Sequence, residues 1–176
     1  MRQQHSFTAS RFLRWPPFRK NTAAPNLSAV LRKQIERQFL YRGVALIEVK
    51  TITLNQTEAA AVVEVMARPL YQDDRRLRYK TWAQLFVEQV FEDAAKVLWT
   101  TWTQAPTLEC VSVYVYRRPL SSLKTAGAPV LRVRAAGAQR RETVLRWNKT
   151  APLALLQECE LEYALDPRYG LRCLSE

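Results

Sequence analysis

The residue types that enzymes use for acid–base, nucleophilic and metal chemistry are scarce in this sequence. His5 is the one histidine, and because it lies in a basic segment that we expect to be flexible without a partner, it is not held as a preorganised base. The four glycines form no phosphate-binding G-x-x-x-x-G-K or G-x-G-x-x-G pattern. Carboxylates remain, but Asp73 and Asp74 are more simply explained as a polar turn. We therefore expect a protein that is not an enzyme and holds no cofactor.

The cysteines exclude two further kinds of site. Their number is odd, they show no C-x-x-C spacing and none has a histidine nearby. This pattern argues against a disulfide framework and against a zinc site, and it fits a reducing compartment. The residues concerned are Cys110, Cys159 and Cys173.

The chemistry that the sequence does favour is the binding of anions. The net charge is +11 and it is unevenly distributed: the first 42 residues carry nine Lys or Arg and a single acid, Glu36. Residues 111–149 carry a second block of +8, and the remaining residues are mildly acidic. Segregated positive charge indicates surfaces that meet anionic partners, whereas evenly spread charge would indicate only solubility.

Residues 1–25 are interpreted as a flexible basic arm that precedes a single domain over residues 26–176. Arginines alternate with aromatic residues in this arm, which suits phosphate contacts combined with base stacking. The first helix extends the basic surface, although a charged outer face is also ordinary for a solvated helix. A transit peptide is the alternative interpretation of the arm, because it is rich in arginine and free of acids. The candidate nucleic-acid-binding residues are Arg11, Phe12, Arg14, Trp15, Phe18, Arg19, Lys20, Arg32, Lys33 and Arg37.

The second basic block has two interpretations. Strand alternation places Tyr114 and Tyr116 on one sheet face together with Arg132 and Arg134, a combination that single-stranded nucleic acid uses. Three glutamates at alternate positions from Glu158 to Glu162 lie on the same polar face, and cross-strand ion pairs would neutralise the arginines. We favour neutralisation, since alternating Arg and Glu stripes commonly solvate an antiparallel sheet. Secondary candidate basic sites lie in or next to loops: Arg117, Arg118, Arg140 and Arg141.

The hydrophobic patterns predict an α+β fold in the order α-β-β-α-β-β-β-β, with a mostly antiparallel sheet covered on one face by two main helices. Helical spacing predicts helices over residues 26–42 and 81–102, the second opened by a capping box between Thr81 and Gln84. A short helical turn is compatible with residues 151–156. Strands are predicted over residues 44–54, 59–68, 108–117, 130–135, 143–147 and 157–165.

Two further features stand out from these elements. Trp99 projects into the polar stripe of the second helix, so we expect either an exposed ring that anchors a protein interface or a ring covered by the chain's own arm or last segment. A faint repeat relates residues 63–70 to residues 113–120, which agree at five of eight positions. Alternating valines supply two of these matches, so we interpret the repeat as coincidence.

These patterns together favour a non-enzymatic module that binds an anionic partner, with nucleic acid favoured, through the arm and the first helix. The alternative is a subunit of a larger complex that uses Trp99 and an apolar helix face as its interface. Peripheral contact with an anionic membrane is less favoured. No stretch has the length of a membrane span or a secretory signal, so we expect an intracellular protein, cytoplasmic unless the arm directs import into an organelle.

Overall fold

The computed structural model describes residues 25–70, 80–118 and 127–174. The predicted arm lies outside these residues apart from Pro25, as does the predicted polar turn at Asp73 and Asp74. The arm's candidate ligands therefore stay predictions: Arg11, Phe12, Arg14, Trp15, Phe18, Arg19 and Lys20.

The described residues form the predicted α+β fold around a five-stranded sheet. Its strands lie in the order β3-β4-β5-β6-β7, and every pairing is antiparallel except the parallel pair β4–β5. In chain order the elements are α1 (Pro25–Arg37), β1 (Leu40–Tyr41), β2 (Val44–Ala45), β3 (Glu48–Asn55), β4 (Ala60–Met66), α2 (Trp82–Gln104), β5 (Cys110–Tyr116), β6 (Leu131–Ala136), α3 (Ala138–Leu145), α4 (Pro152–Gln157), β7 (Glu160–Tyr163), β8 (Leu165–Asp166) and β9 (Gly170–Leu171).

The helices cover one face of the sheet, because the strands alternate between apolar and polar side chains. Val63, Val113 and Val133 lie on the covered face and are fully buried. The long helix α2 packs against β5 and also contacts α1, α3, α4 and β9. Most of its apolar circumference is therefore covered by the chain itself, although Trp82 in the first turn stays exposed.

The start of α2 is fixed by the predicted capping box. The backbone N–H of Gln84 donates to the Thr81 hydroxyl at 3.2 Å, and the backbone N–H of Thr81 donates to the Gln84 side-chain oxygen at 2.9 Å. These two bonds satisfy N–H groups that the first turn of a helix otherwise leaves without partners.

The first helix is shorter than predicted. It ends at Arg37, and the next residues form the small hairpin of β1 and β2. The two residues of its turn, Arg42 and Gly43, have φ angles of 48° and 81°, as expected for a type I′ turn. Gly43 thus closes a hairpin and does not end the helix.

The strand predicted over residues 143–147 is wrong. This segment contains the end of α3, and the Arg146 N–H donates to the Glu142 carbonyl at 3.0 Å as part of a helical turn. Val144 is the buried residue of this short helix, so a single apolar side chain packs the helix onto the core. The alternating pattern of residues 143–147 does not face a neighbouring strand. The predicted short helical turn is confirmed as α4. The final predicted strand therefore begins later than expected, at Glu160.

The described parts of the two similar segments lie side by side. The parallel strands β4 and β5 pair Val63 with Val113 and Val65 with Val115. Residues that match between the two similar segments are therefore also paired across the two strands. Helix α2 connects the two strands as a β-α-β crossover. Both strands consequently end at the same edge of the sheet, which we call the carboxyl edge.

Candidate functional site

The open face of the sheet carries much of the second basic block, and its charges are paired. Arg132 lies opposite Glu162 with 3.2 Å between the charged groups, and Arg134 lies opposite Glu160 at 2.8 Å. The predicted neutralisation is confirmed. These arginines already have anionic partners within the chain.

The aromatic side chains of this face are also engaged. The Tyr116 hydroxyl donates to the Glu64 carboxylate at 2.7 Å, while the Lys50 ammonium lies 3.6 Å from the centre of the Tyr116 ring. Burial, together with this carboxylate, raises the pKa of Tyr116 above its usual range. A ring covered by a lysine is not a free platform for a base.

The basic residues of α1 divide into two groups. The Arg32 guanidinium donates to the backbone carbonyls of Val49 and Lys50 in the edge strand β3, so it covers part of that edge. Lys33 and Arg37 are exposed, and neither makes an ion pair among the described residues.

Two of the secondary basic candidates are held at the other end of the sheet. Arg140 pairs with Glu158 at 3.3 Å, and Arg141 donates to the Pro106 carbonyl at 2.9 Å. Arg140 therefore belongs to the neutralised set, and Arg141 fastens α3 to the loop after α2.

Trp99 is half-buried against the core rather than exposed. The Lys149 ammonium lies 4.4 Å from the centre of its indole ring. The expectation of an exposed Trp99 is wrong, because the segment after α3 packs onto this side of α2. Among the described residues the ring is covered by Lys149, and the role of Trp99 as an interface anchor stays a prediction.

The other two secondary candidates meet in a cavity of about 450 Å³. The residues that follow β4 and β5 form one wall, the first turns of α2 form a second, and the turn between β8 and β9 forms the third. We call this cavity the arginine pocket. Its charged and aromatic lining comprises Arg68, Arg117, Arg118, Arg168, Trp82, Phe86 and Tyr169.

Arg117 is held in the pocket by backbone carbonyls and by an aromatic ring. One of its terminal nitrogens donates to the carbonyls of Tyr169 and Leu171, and its guanidinium carbon lies 4.0 Å from the centre of the Phe86 ring. It makes no ion pair among the described residues. Burial lowers the pKa of the Arg117 guanidinium, and the nearby Asp166 carboxylate offsets this in part.

The neighbouring arginines are anchored more firmly. Arg68 pairs with the buried Asp93 at 2.5 Å and with Glu92 at 2.9 Å. Arg118 donates to the Ala67 carbonyl at 3.0 Å and pairs more loosely with Glu48 at 3.5 Å. These contacts fix the rim of the pocket where β4 and β5 end.

The third wall depends on a tight turn. The Asp166 carboxylate accepts hydrogen bonds from the backbone N–H groups of Arg168 and Tyr169 at 2.8 and 2.9 Å. The next residue, Gly170, packs so closely on α2 that an added Cβ would lie 2.4 Å from the Ala83 carbonyl oxygen. The turn is thereby held with Arg168 and Tyr169 beside the first residues of α2.

The carboxyl edge also brings the pocket close to the end of α1. The Arg68 guanidinium lies over the ring of Phe39 at 5.3 Å, and Arg118 donates to the Leu46 carbonyl at 3.2 Å. Phe39 and Leu46 flank the β1–β2 hairpin, whose Arg42 makes no ion pair among the described residues. The segment that follows α1 is therefore in contact with two arginines of the pocket.

The sequence patterns identified Arg117 and Arg118 but missed most of the pocket. Arg68, Trp82, Arg168 and Tyr169 are far apart along the chain, and none belongs to a recognised motif. One available signal was the Arg-Pro-Leu ending shared by residues 68–70 and 118–120, since it marks where two similar strands stop.

Neither a metal site nor a membrane helix was found in the described ranges. No cluster of three or more metal-ligating side chains occurs among them, and none of their helices has the length and apolar character needed to span a membrane. Comparisons with known proteins found no matching family model, no matching curated protein and no matching solved structure.

Proposed function

We propose that this protein is a non-enzymatic module that binds single-stranded nucleic acid at the carboxyl edge. The contacting groups are the arginine pocket, the exposed cations of α1, and the basic N-terminal arm. Electrostatic attraction to phosphates supplies most of the affinity in this proposal.

The observation that carries the proposal is the uneven pairing of charge. Arg132, Arg134 and Arg140 have glutamate partners on or beside the open sheet face. By contrast, Arg117 and Arg168 make no ion pair among the described residues, although they line one cavity. Asp166 interacts with both arginines but forms an ion pair with neither, so an anionic partner would meet less competition in this cavity than on the sheet face.

The aromatic lining of the pocket supports a single strand over a duplex. Trp82 and Tyr169 remain 43% and 37% exposed at the pocket. Unpaired bases stack on such rings, whereas bases inside a duplex are already stacked and paired.

The test is a salt titration of binding to a labelled single-stranded oligonucleotide and to the matching duplex. Affinity for the single strand should fall steeply from about 50 to about 200 mM salt, because each protein–phosphate contact contributes a slope of about −0.7 in log K against log salt. Replacing Lys33 and Arg37 with glutamine should make that slope shallower by about 1.4 if each contacts one phosphate.

The matched control is the double variant Arg132→Gln/Arg134→Gln, which removes the same charge from the paired sheet face. It should change the slope much less than the α1 variant. An affinity that does not respond to salt would overturn the proposal. Equal losses in the two double variants would indicate general attraction to net charge instead of binding at the carboxyl edge.

A second candidate function, assembly into a larger complex, is favoured by the exposed β1–β2 hairpin. Leu40, Tyr41 and Val44 are 52%, 56% and 65% exposed, which is unusual for clustered apolar side chains. Sedimentation velocity should then detect self-association that is lost in Tyr41→Ser/Val44→Ser and retained in Trp99→Ala. A wild-type protein that stays monomeric at all concentrations would argue against self-assembly through the hairpin.

A further inference from the structure

We propose, building on the function above, that the arginine pocket binds one unstacked nucleotide, with the base against Trp82 and Tyr169 and the phosphate on Arg117 and Arg168. The ligand class is a nucleoside monophosphate unit. It is either free or a single residue of a longer strand.

The phosphate position follows from the donors that Arg117 has left. A guanidinium carries five N–H donors, and the described contacts of Arg117 use one terminal nitrogen for the carbonyls of Tyr169 and Leu171. The other terminal nitrogen and Nε therefore keep donors without a partner among the described residues. Such donors in a fixed fork match the oxygens of a phosphate.

The orientation of this fork is fixed before any ligand arrives. Arg117 stacks on Phe86, which is 8% exposed, and its guanidinium carbon also lies 5.9 Å from the centre of the Tyr169 ring. Arg117 is half-buried and makes no ion pair among the described residues, so the hydration it loses is offset only in part by the nearby Asp166. A bound phosphate would replace the lost hydration of Arg117 without the cost of reorienting its side chain.

Arg168 supplies the second cation from the turn between β8 and β9. Its backbone is held by Asp166, and its guanidinium makes no hydrogen bond or ion pair among the described residues. It is exposed at the pocket, so it can close over a phosphate that Arg117 already contacts.

The base position follows from the rings and from the size of the cavity. The wall is mainly apolar, and Trp82 and Tyr169 each leave part of a ring uncovered. A volume of about 450 Å³ lies in the range of small-ligand sites. It accommodates one nucleotide, whereas inorganic phosphate alone would leave the aromatic wall in contact with water.

The experiment measures binding of adenosine monophosphate to the full chain by calorimetry, with adenosine and inorganic phosphate as separate ligands. The nucleotide should bind at least about tenfold more tightly than either fragment, because it uses both stacking and charge. The same variants are then tested with a single-stranded oligonucleotide. This second arm distinguishes a free nucleotide from a nucleotide unit of a strand.

Arg168→Ala and Trp82→Ala should each weaken nucleotide binding by about tenfold, and Trp82→Phe should recover part of the stacking loss. Arg172→Ala is the matched control: it removes the same charge from the same hairpin, but Arg172 does not line the pocket. Thermal unfolding of each variant separates a lost contact from a lost fold.

Three outcomes overturn this inference. In the first, inorganic phosphate binds as tightly as the nucleotide and its binding is unaffected by Trp82→Ala. In the second, Arg172→Ala weakens nucleotide binding as much as Arg168→Ala does. In the third, the oligonucleotide binds in a salt-dependent way but the nucleotide does not bind and the pocket variants change nothing, which leaves the proposed function standing. Absence of oligonucleotide binding would instead remove the proposed function.

Discussion

Asp93 shows how a single buried acid organises the carboxyl edge. It is fully buried in α2 and accepts hydrogen bonds from both the backbone N–H and the side chain of Arg68. Gln89, one turn earlier, donates to the Arg68 carbonyl at 2.6 Å. With the terminal nitrogen that contacts Glu92, Arg68 is tied to α2 at four atoms, which fixes one rim of the arginine pocket.

This arrangement predicts an unusual pH dependence of stability. Burial raises the pKa of Asp93 from 3.8 to about 6, although Arg68 opposes the shift. Because the folded state then binds this proton more tightly than the unfolded state does, the contribution of Asp93 to stability is present below about pH 4 and is lost as the pH rises through about 6. The free energy of unfolding of the wild type, relative to Asp93→Asn, should fall by up to about 3 kcal/mol over this interval.

Urea unfolding of both proteins from about pH 4 to about pH 7 checks this expectation. Glu109→Gln, which replaces an exposed acid without an ion pair among the described residues, controls for the loss of one charge. If the free energy of unfolding of the wild type, relative to Asp93→Asn, rises with pH, the Arg68 contacts outweigh burial in setting the pKa of Asp93.

Individual residues were predictable where their partners are near in sequence or follow from strand alternation. The capping box of Thr81 and Gln84 depends on a spacing of three residues, and the Glu160–Arg134 pair follows from two alternating strands. Trp99 was not predictable in this way. Helical projection gives its angle on α2, but not that Lys149 and the segment after α3 cover that side.

At the scale of elements, the pocket depends on how the β8–β9 turn docks onto α2. Gly170 has a φ angle of 82°, and an added Cβ would lie 2.4 Å from the Ala83 carbonyl oxygen. Gly170→Ala therefore combines backbone strain with a clash against main-chain atoms. It should lower the free energy of unfolding by about 2–4 kcal/mol and displace Arg168 and Tyr169, which weakens nucleotide binding as well.

Gly43→Ala separates these two effects. Gly43 has nearly the same φ angle, 81°, but no atom lies within 4 Å of an added Cβ. Gly43→Ala should lower the free energy of unfolding by about 1 kcal/mol, from backbone strain alone, and leave nucleotide binding unchanged. Chemical denaturation and calorimetry on both variants test this, and equal costs at the two positions would contradict close docking as the reason for Gly170.

The elements themselves were largely predictable, but the parallel pairing of β4 and β5 was not. Alternation and β-branched residues identify the strands, and a separate hydrophobic period identifies α2. Neither pattern tells which strands become neighbours. The nearly continuous apolar run of β4, from Ala60 to Val63, suits a central strand between two others, and that position is what brings Arg68 beside Arg118.

At the scale of the whole molecule, positive charge is divided between a paired sheet face and a carboxyl edge where Arg117 and Arg168 make no ion pair among the described residues. The net charge of +11 does not by itself distinguish these surfaces. The charge patterns of the sequence predicted that the arginines of the sheet face pair with glutamates, because both residue types recur at every second position of their strands. They could not locate the carboxyl edge, since its cations come from segments that only the folded chain brings together.

This division predicts that removing acids from the sheet face creates a second binding surface. In Glu160→Gln/Glu162→Gln, Arg134 and Arg132 lose their partners, so affinity for single-stranded oligonucleotide should rise and its salt slope should steepen by up to about 1.4. Glu58→Gln/Glu109→Gln makes the same change in net charge at exposed acids that pair with no described cation, and it should leave the slope nearly unchanged. Salt titrations of the two double variants decide the matter, because equal slopes would mean that net charge, and not the pairing of particular arginines, controls binding.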